Sequence, residues 1–155
     1  MALNIILAAL LLLSTPALAD FEAGCDAFDR GDYAAALEEW QPLAEQGHAQ
    51  AKFRLGCLYA FGQGVPQNDA EALRLFIEAA EQGDGDAQNN LGGMYSLGWG
   101  VEPDLIAAYM WFEIAARSGH DMASRNRTYI AEILTPEQIG SAEKLAGEWQ
   151  ASHPQ

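Results

Sequence analysis

Leu55–Asp84, LGCLYAFGQGVPQNDAEALRLFIEAAEQGD, and Leu91–His120, LGGMYSLGWGVEPDLIAAYMWFEIAARSGH, are two copies of one pattern. The overlay starts upstream, at Gly47 against Gly83, and runs without a gap at an offset of 36 residues. Ala51 matches Ala87, Leu55-Gly56 matches Leu91-Gly92, and Tyr59 matches Tyr95. Gly62 and Gly64-Val65 match Gly98 and Gly100-Val101, and Ala72, Phe76 and Ala79-Ala80 match Ala108, Phe112 and Ala115-Ala116. An internal period of this length is the signature of a repeat architecture, in which each unit buries its apolar face on its neighbours. Apolar and small residues recur at spacings of three and four on both sides of the Gly-rich GQGV and GWGV turns, so each unit reads as a helical hairpin. The spacing predicts a first helix over Ala49 to Phe61 and a second over Asn68 to Gln82. Gly56 and Gly92 fall inside the first helices, where each costs about 1 kcal/mol against Ala, tolerable if the missing side chain admits a close neighbour.

Working outward, Gly31 to Gly47 reproduces the second helix once more, with Ala36, Trp40 and Ala44 standing 36 residues before Ala72, Phe76 and Ala80. Phe21 to Asp29 supplies its first helix, joined by a shorter turn. Downstream, Thr135-Pro136-Glu137-Gln138 offers an N-cap, a Pro for the first turn and a capping-box Gln, followed by Ile139, Ala142, Leu145-Ala146 and Trp149 on one face. A terminal repeat leaves a face without a neighbour, so this segment is expected to close the array as a capping helix with Glu143, Lys144 and Glu148 turned outward. LGxxY, GxGV and AAxxG at fixed spacing resemble the Sel-one-like repeats (SLR), relatives of the tetratricopeptide class. The resemblance covers about residues 21 to 134. It implies an all-α fold, a right-handed α-solenoid of antiparallel helix hairpins, and a role as a protein-protein interaction adaptor or scaffold with no catalysis of its own. A cell-wall-binding or hydrolytic envelope protein is the alternative, though the Cys pair within each repeat that marks the wall-linked relatives is missing.

Three segments follow: 1-19 as a signal peptide, 20-134 as helical repeats, and 135-155 as the capping helix and a short tail. Met1 to Ala19 carries no charge and holds the longest apolar run, Ile5 to Leu13. That run is too short to span a bilayer, and Ala17-Leu18-Ala19 puts small residues where signal peptidase needs them. Cleavage after Ala19 is expected, giving a periplasmic or secreted protein with no stable membrane insertion; a buried N-terminal helix is the alternative. The net charge of −14, from 8 basic and 22 acidic residues, makes nucleic acid and anionic membranes poor partners.

No nucleophile motif, phosphate loop or paired acid and base stands out, so no catalytic residue, metal or cofactor is expected. His48 and His120 share one repeat position, held by Asp84 in the middle copy, and read as helix caps. Cys25 and Cys57 each follow an in-helix Gly and occupy equivalent positions of adjacent first helices. In an oxidising compartment this favours a disulfide, with a pair of small buried thiols as the alternative. In an array of this kind the first helices line the concave surface, and the expected partner-binding positions there are Phe21, Phe28, Phe53, Asn89, Ser96 and Leu97. Trp99, in the GWG turn, has no repeat-core duty and is the first candidate for an exposed anchor. The mixed apolar and polar groove suits an extended peptide or a partner helix.

Overall fold

The computed structural model describes residues 19–154, in which eight α-helices follow one another with no strand between them. They are α1 (Phe21–Asp29), α2 (Tyr33–Glu45), α3 (Ala49–Phe61), α4 (Asp69–Ala80), α5 (Gly85–Leu97), α6 (Leu105–Arg117), α7 (Asp121–Ala131) and α8 (Pro136–Ser152). Each of the first six packs on the next, and α8 returns to α6. The result is an α-solenoid of antiparallel hairpins closed by a C-terminal helix. Apart from Ala19, the leader read at Met1 to Ala19 lies outside the described residues.

What sets the hairpin packing is an aromatic ring pressed against a glycine. Trp40, Phe76 and Phe112, one from each second helix, are buried. Each ring lies over the in-helix glycine of its own hairpin: a Cβ added to Gly24 would stand 2.6 Å from Trp40 Cδ1, one on Gly56 2.6 Å from Phe76 Cε1, and one on Gly92 2.5 Å from Phe112 Cδ1. No real Cβ tolerates such distances. The helix-propensity cost of each glycine is therefore offset by burial of a whole aromatic face, worth about 2–3 kcal/mol. Trp40 also donates from Nε1 to the Phe21 carbonyl at 3.1 Å, so its polar atom is satisfied in the core.

The caps are equally local. His48 Nδ1 accepts from Ala51 N at 3.2 Å, Asp84 Oδ1 from Ala87 N at 2.8 Å, and His120 Nδ1 from Ala123 N at 3.1 Å, so one N-cap geometry repeats with two residue types. With Nδ1 accepting, a neutral His120 carries its proton on Nε2, which lies 3.0 Å from Asp86 Oδ1 and donates to it. At α8, Thr135 Oγ1 accepts from Gln138 N and Gln138 Oε1 from Thr135 N, completing the capping box.

The last hairpin departs from the pattern. Thr128 stands where α3 and α5 carry glycine, and neither α7 nor α8 offers the glycine-aromatic pair; both take α6 as their main partner. Ala142 and Ala146 of α8 are buried and Trp149 meets Trp111 edge-on at 5.5 Å, whereas Leu145, expected on the buried face, is exposed at its edge.

The expected Cys25–Cys57 bond is not formed: both thiols are free. Equivalent positions on parallel first helices are held about 8–10 Å apart by helix packing, beyond the reach of a disulfide. Cys25 packs against the core around Trp40 and Cys57 against the core around Phe76. Burial pushes the Cys57 thiol up to about 12, which keeps it protonated.

Neighbouring glycines give a paired test. A Cβ at Gly92 meets the Phe112 ring, whereas one at Gly93 meets nothing within 4 Å. Gly92→Ala should lower stability by about 1–3 kcal/mol through overpacking, and Gly93→Ala should raise it by up to about 1 kcal/mol through helix propensity. Urea unfolding of both variants checks the pair.

Candidate functional site

Large apolar side chains on the surface are few and they cluster. Phe61 (67% exposed), Leu97 (58%), Trp99 (53%), Tyr129 (65%) and Ile133 (54%) account for five of the seven such residues among the described ones. Phe61, Leu97 and Ile133 stand 36 residues apart; Phe61 and Leu97 end α3 and α5, and Ile133 lies in the turn two residues past the end of α7. They border two adjoining cavities of about 150 and 420 Å³ that share Gly93 and Asn126. The first adds Ala60, Asp69, Asn89, Asn90 and Trp99; the second adds Ser96, Leu97, Tyr129 and Ile133. Together they form one groove across α3, α5 and α7.

Its shape follows from the repeat. Gly93 occupies the position of Cys57 in the preceding unit and of Tyr129 in the next, and its missing side chain opens the groove floor. Trp99 is held out by its turn. Gly98 caps α5 in the left-handed region at φ 73°, and Asp104 N donates to the Tyr95 carbonyl at 2.8 Å, closing the loop as Asn68 N and the Tyr59 carbonyl do one repeat earlier. Gly100 lies against the first residue of α4, where an added Cβ would stand 2.7 Å from the Asp69 carbonyl. The GWG turn is thus fixed at both ends and presents the indole beside Asp69.

Besides Asp69, Ser96 and Tyr129, the polar side chains lining the groove are amides. Asn126 Nδ2 donates to Asn89 Oδ1 at 3.0 Å, bridging α7 and α5, and Asn90 lies beside them. Arg54, Asn90 and Asn126 form a second ladder at the 36-residue period, and Arg54 sits 5.8 Å from the Phe53 ring centroid.

Of the residues expected at a binding face, Asn89, Ser96, Leu97 and Trp99 come together in this groove. Phe21, Phe28 and Phe53 are half-buried and do not line it. Phe21 stacks on His48 at 5.1 Å, Phe28 lies 5.8 Å from Trp40, and Phe53 lies 5.8 Å from Phe76. Sequence reasoning missed Phe61, Tyr129 and Ile133. The 36-residue register was the available signal for Phe61 and Ile133.

A charged clamp holds the α7 wall. Glu113 of α6 is buried and accepts from Arg117 Nε and Arg127 Nη1, both at 2.6 Å. Burial pushes its carboxyl up, but the hydrogen bonds and charges of Arg127 and Arg117 outweigh this and leave it below the usual carboxylate range. The pair is structural, since Arg127 fixes the helix that carries Tyr129. Among the described residues no three His, Cys, Asp or Glu side chains converge as a metal site, and no helix is long and apolar enough to cross a membrane.

These features define a helical-hairpin repeat protein with a groove on its first helices. The Sel1 repeat family matches residues 49–84 and 85–120, starting at α3 and at α5, and the chain carries two Sel1 repeats. Repeats of this kind form non-catalytic protein-interaction scaffolds. Among solved structures, the chain is similar to a protective antigen present in uropathogenic Escherichia coli strains that displays an SLR fold (TM-score 0.80, 30% identity, 84% of this chain and 29% of that one). It is also similar to a Sel1 repeat protein from Oxalobacter formigenes (TM-score 0.69, 30% identity, 72% and 46%). The right-handed solenoid expected from the repeats is the fold of these proteins. An exopolysaccharide production negative regulator of Rhizobium meliloti strain 1021 is 38% identical over 58 residues, 37% of this chain and 22% of the relative; that of Rhizobium leguminosarum bv. viciae matches to the same extent. The chain thus spans less than a quarter of those regulators.

The clamp has a testable pH signature. A folded carboxylate held below its unfolded value contributes stability that is present above the unfolded pKa, about 4.3, and is lost as pH falls through the folded value. Glu113→Gln should therefore cost about 1–2 kcal/mol at pH 7, a figure discounted for the half-exposed guanidiniums. The gap between wild type and variant should close at low pH, once the carboxyl is protonated in both states, as read by urea unfolding at neutral and acid pH. An undiminished gap would mean that the shape of the side chain, and not its charge, holds α7.

Proposed function

We propose that this chain is an exported, non-enzymatic adaptor that holds a polypeptide segment of a partner protein in the groove across α3, α5 and α7. The observation that carries the reading is the collection of Phe61, Leu97, Trp99, Tyr129 and Ile133 around one groove. An exposed apolar cluster of this kind marks an interaction surface, and a fixed Trp at its border is the residue type that dominates binding energy. The amides of Asn89, Asn90 and Asn126 suit a main chain better than an apolar metabolite. The nearest approach to reactive chemistry, the buried Glu113, is neutralised by two guanidiniums that also serve the fold. The short likeness to regulators of exopolysaccharide production supports a regulatory adaptor over a tether.

Export rests on the uncharged apolar leader and the small residues before Asp20. Asp20 N already donates to Glu39 Oε2 at 2.8 Å, so cleavage after Ala19 would turn that hydrogen bond into an ion pair with the new terminal ammonium. The mass of the chain recovered from the producing cell's envelope should correspond to a start at Asp20; an uncut leader would contradict export by this route.

A photo-crosslinking side chain at Leu97, compared with one at Leu145 on exposed α8, tests the groove. Position 97 should give a discrete adduct with a partner and position 145 should not. Filling the groove by Gly93→Phe should abolish the adduct, and Trp99→Ala should weaken partner binding at least tenfold, about 1.4 kcal/mol or more. Equal labelling from both positions, or an adduct indifferent to Gly93→Phe, would remove the groove from the account.

A further inference from the structure

The groove reading leaves open what kind of segment fits, and the α3 end of the groove narrows the choice. There the cavity of about 150 Å³ is bordered by the rings of Phe61 and Trp99 and by the Asp69 carboxylate. Asp69 is the first residue of α4, where the helix N-terminus favours a negative charge. Its Oδ1 accepts one hydrogen bond, from Gln67 Nε2 at 3.1 Å, and it makes no ion pair among the described residues. No Lys or Arg lines either half of the groove.

Most of the basic residues are engaged elsewhere. Lys52, Arg74, Arg117, Arg127 and Lys144, five of the eight basic residues, are paired with glutamates elsewhere, and Arg54, on the ladder of Asn90 and Asn126, lies 5.8 Å from the Phe53 ring centroid and outside the lining of the groove, in a chain whose net charge is −14. A carboxylate without an ion-pair partner that lines one cavity with two exposed aromatic rings is complementary to a cation on a flexible stem: a ring face attracts the charge, the carboxylate pairs with it, and the stem covers apolar surface. Beside it, Asn89 Nδ2, Asn126 Oδ1 and both polar atoms of Asn90 have no hydrogen-bond partner among the side chains described, while Asn89 and Asn126 fix each other. A helix satisfies its own main chain and would leave these amides unused; an extended segment has the donors and acceptors they need.

We propose that the α3 end of the groove takes a lysine or arginine side chain of an extended partner segment, laid on Trp99 and Phe61 with its charge on Asp69, while Asn89, Asn90 and Asn126 hold the adjoining main chain. The proposal rests on the groove reading above and adds the chemistry of the occupant.

The test uses short blocked peptides alternating Leu with Lys, Leu with Gln or Leu with Glu, added to ¹⁵N-labelled protein. The readouts are the Trp99 indole and the side-chain amide resonances of Asn89, Asn90 and Asn126. The Leu-Lys peptide should shift these resonances and bind about tenfold more tightly than Leu-Gln, with Leu-Glu weakest. Asp69→Asn should remove about threefold to tenfold of that preference and leave Leu-Gln binding unchanged. Glu38→Gln, at an exposed carboxylate of α2 away from the groove, should change nothing, which separates a built cation site from the attraction of an acidic protein for any basic peptide. Equal binding of Leu-Lys and Leu-Gln at the groove, or equal losses from Asp69→Asn and Glu38→Gln, would overturn the cation site and leave the groove standing. If no peptide moves Trp99 or the three asparagines, the cation site falls and the groove reading falls with it.

Discussion

The fold depends on one contact used three times, an aromatic ring of a second helix lying on a glycine of the first. The contact is unforgiving in both directions. Any Cβ at Gly24, Gly56 or Gly92 would enter the ring's volume, and any smaller residue at Trp40, Phe76 or Phe112 would leave a void beside a glycine that cannot fill it. The rings recur every 36 residues and Gly56 and Gly92 keep that spacing, while Gly24 lies 32 residues before Gly56 because the first turn is shorter; each hairpin still closes on the same contact and the next stacks on it. Repeats of this kind are stabilised by a unit's own closure and by contact with its neighbours, so a fixed closure fixes the array.

From that regularity comes the groove. Positions along the first helices that face away from the rings form ladders with the same period, and evolution of a site needs only substitutions on those ladders. Phe61, Leu97 and Ile133 give an apolar rail at one position; Asn90 and Asn126 give a polar one, on a ladder that Arg54 begins outside the groove lining. Gly93 departs from its equivalents Cys57 and Tyr129 and opens the floor between them. The GxGV turn adds Trp99, held against the start of α4 by the same loop hydrogen bond that serves the repeat before it. At the end of the array the glycine-ring pair is lost, and the Glu113–Arg127 clamp together with the packing of α8 on α6 takes over the positioning of α7.

Most of the fold was legible because the period is explicit in the letters. The matched glycines, the aromatic residues at 40, 76 and 112, and the caps at His48, Asp84, His120 and Thr135 are local signals, and local signals survive folding unchanged. The site was less legible. Asn89, Ser96, Leu97 and Trp99 follow from the repeat geometry, but Phe61, Tyr129 and Ile133 carry the same apolar letters as core residues, and only packing tells an exposed ring from a buried one. The reverse holds at Phe21, Phe28 and Phe53, which meet His48, Trp40 and Phe76. The cysteine pairing failed for a geometric reason: equivalent positions in a solenoid share a direction but keep the spacing of their helices, which is too wide for a disulfide.

A double-mutant cycle between Gly92 and Phe112, read as unfolding free energies, tests the governing contact most directly. If the glycine exists to admit the ring, Gly92→Ala should be costly beside Phe112 and nearly harmless beside Phe112→Leu, with a coupling of about 1–2 kcal/mol. Additive effects of the two substitutions would contradict the account, because the glycine would then owe nothing to the ring it faces.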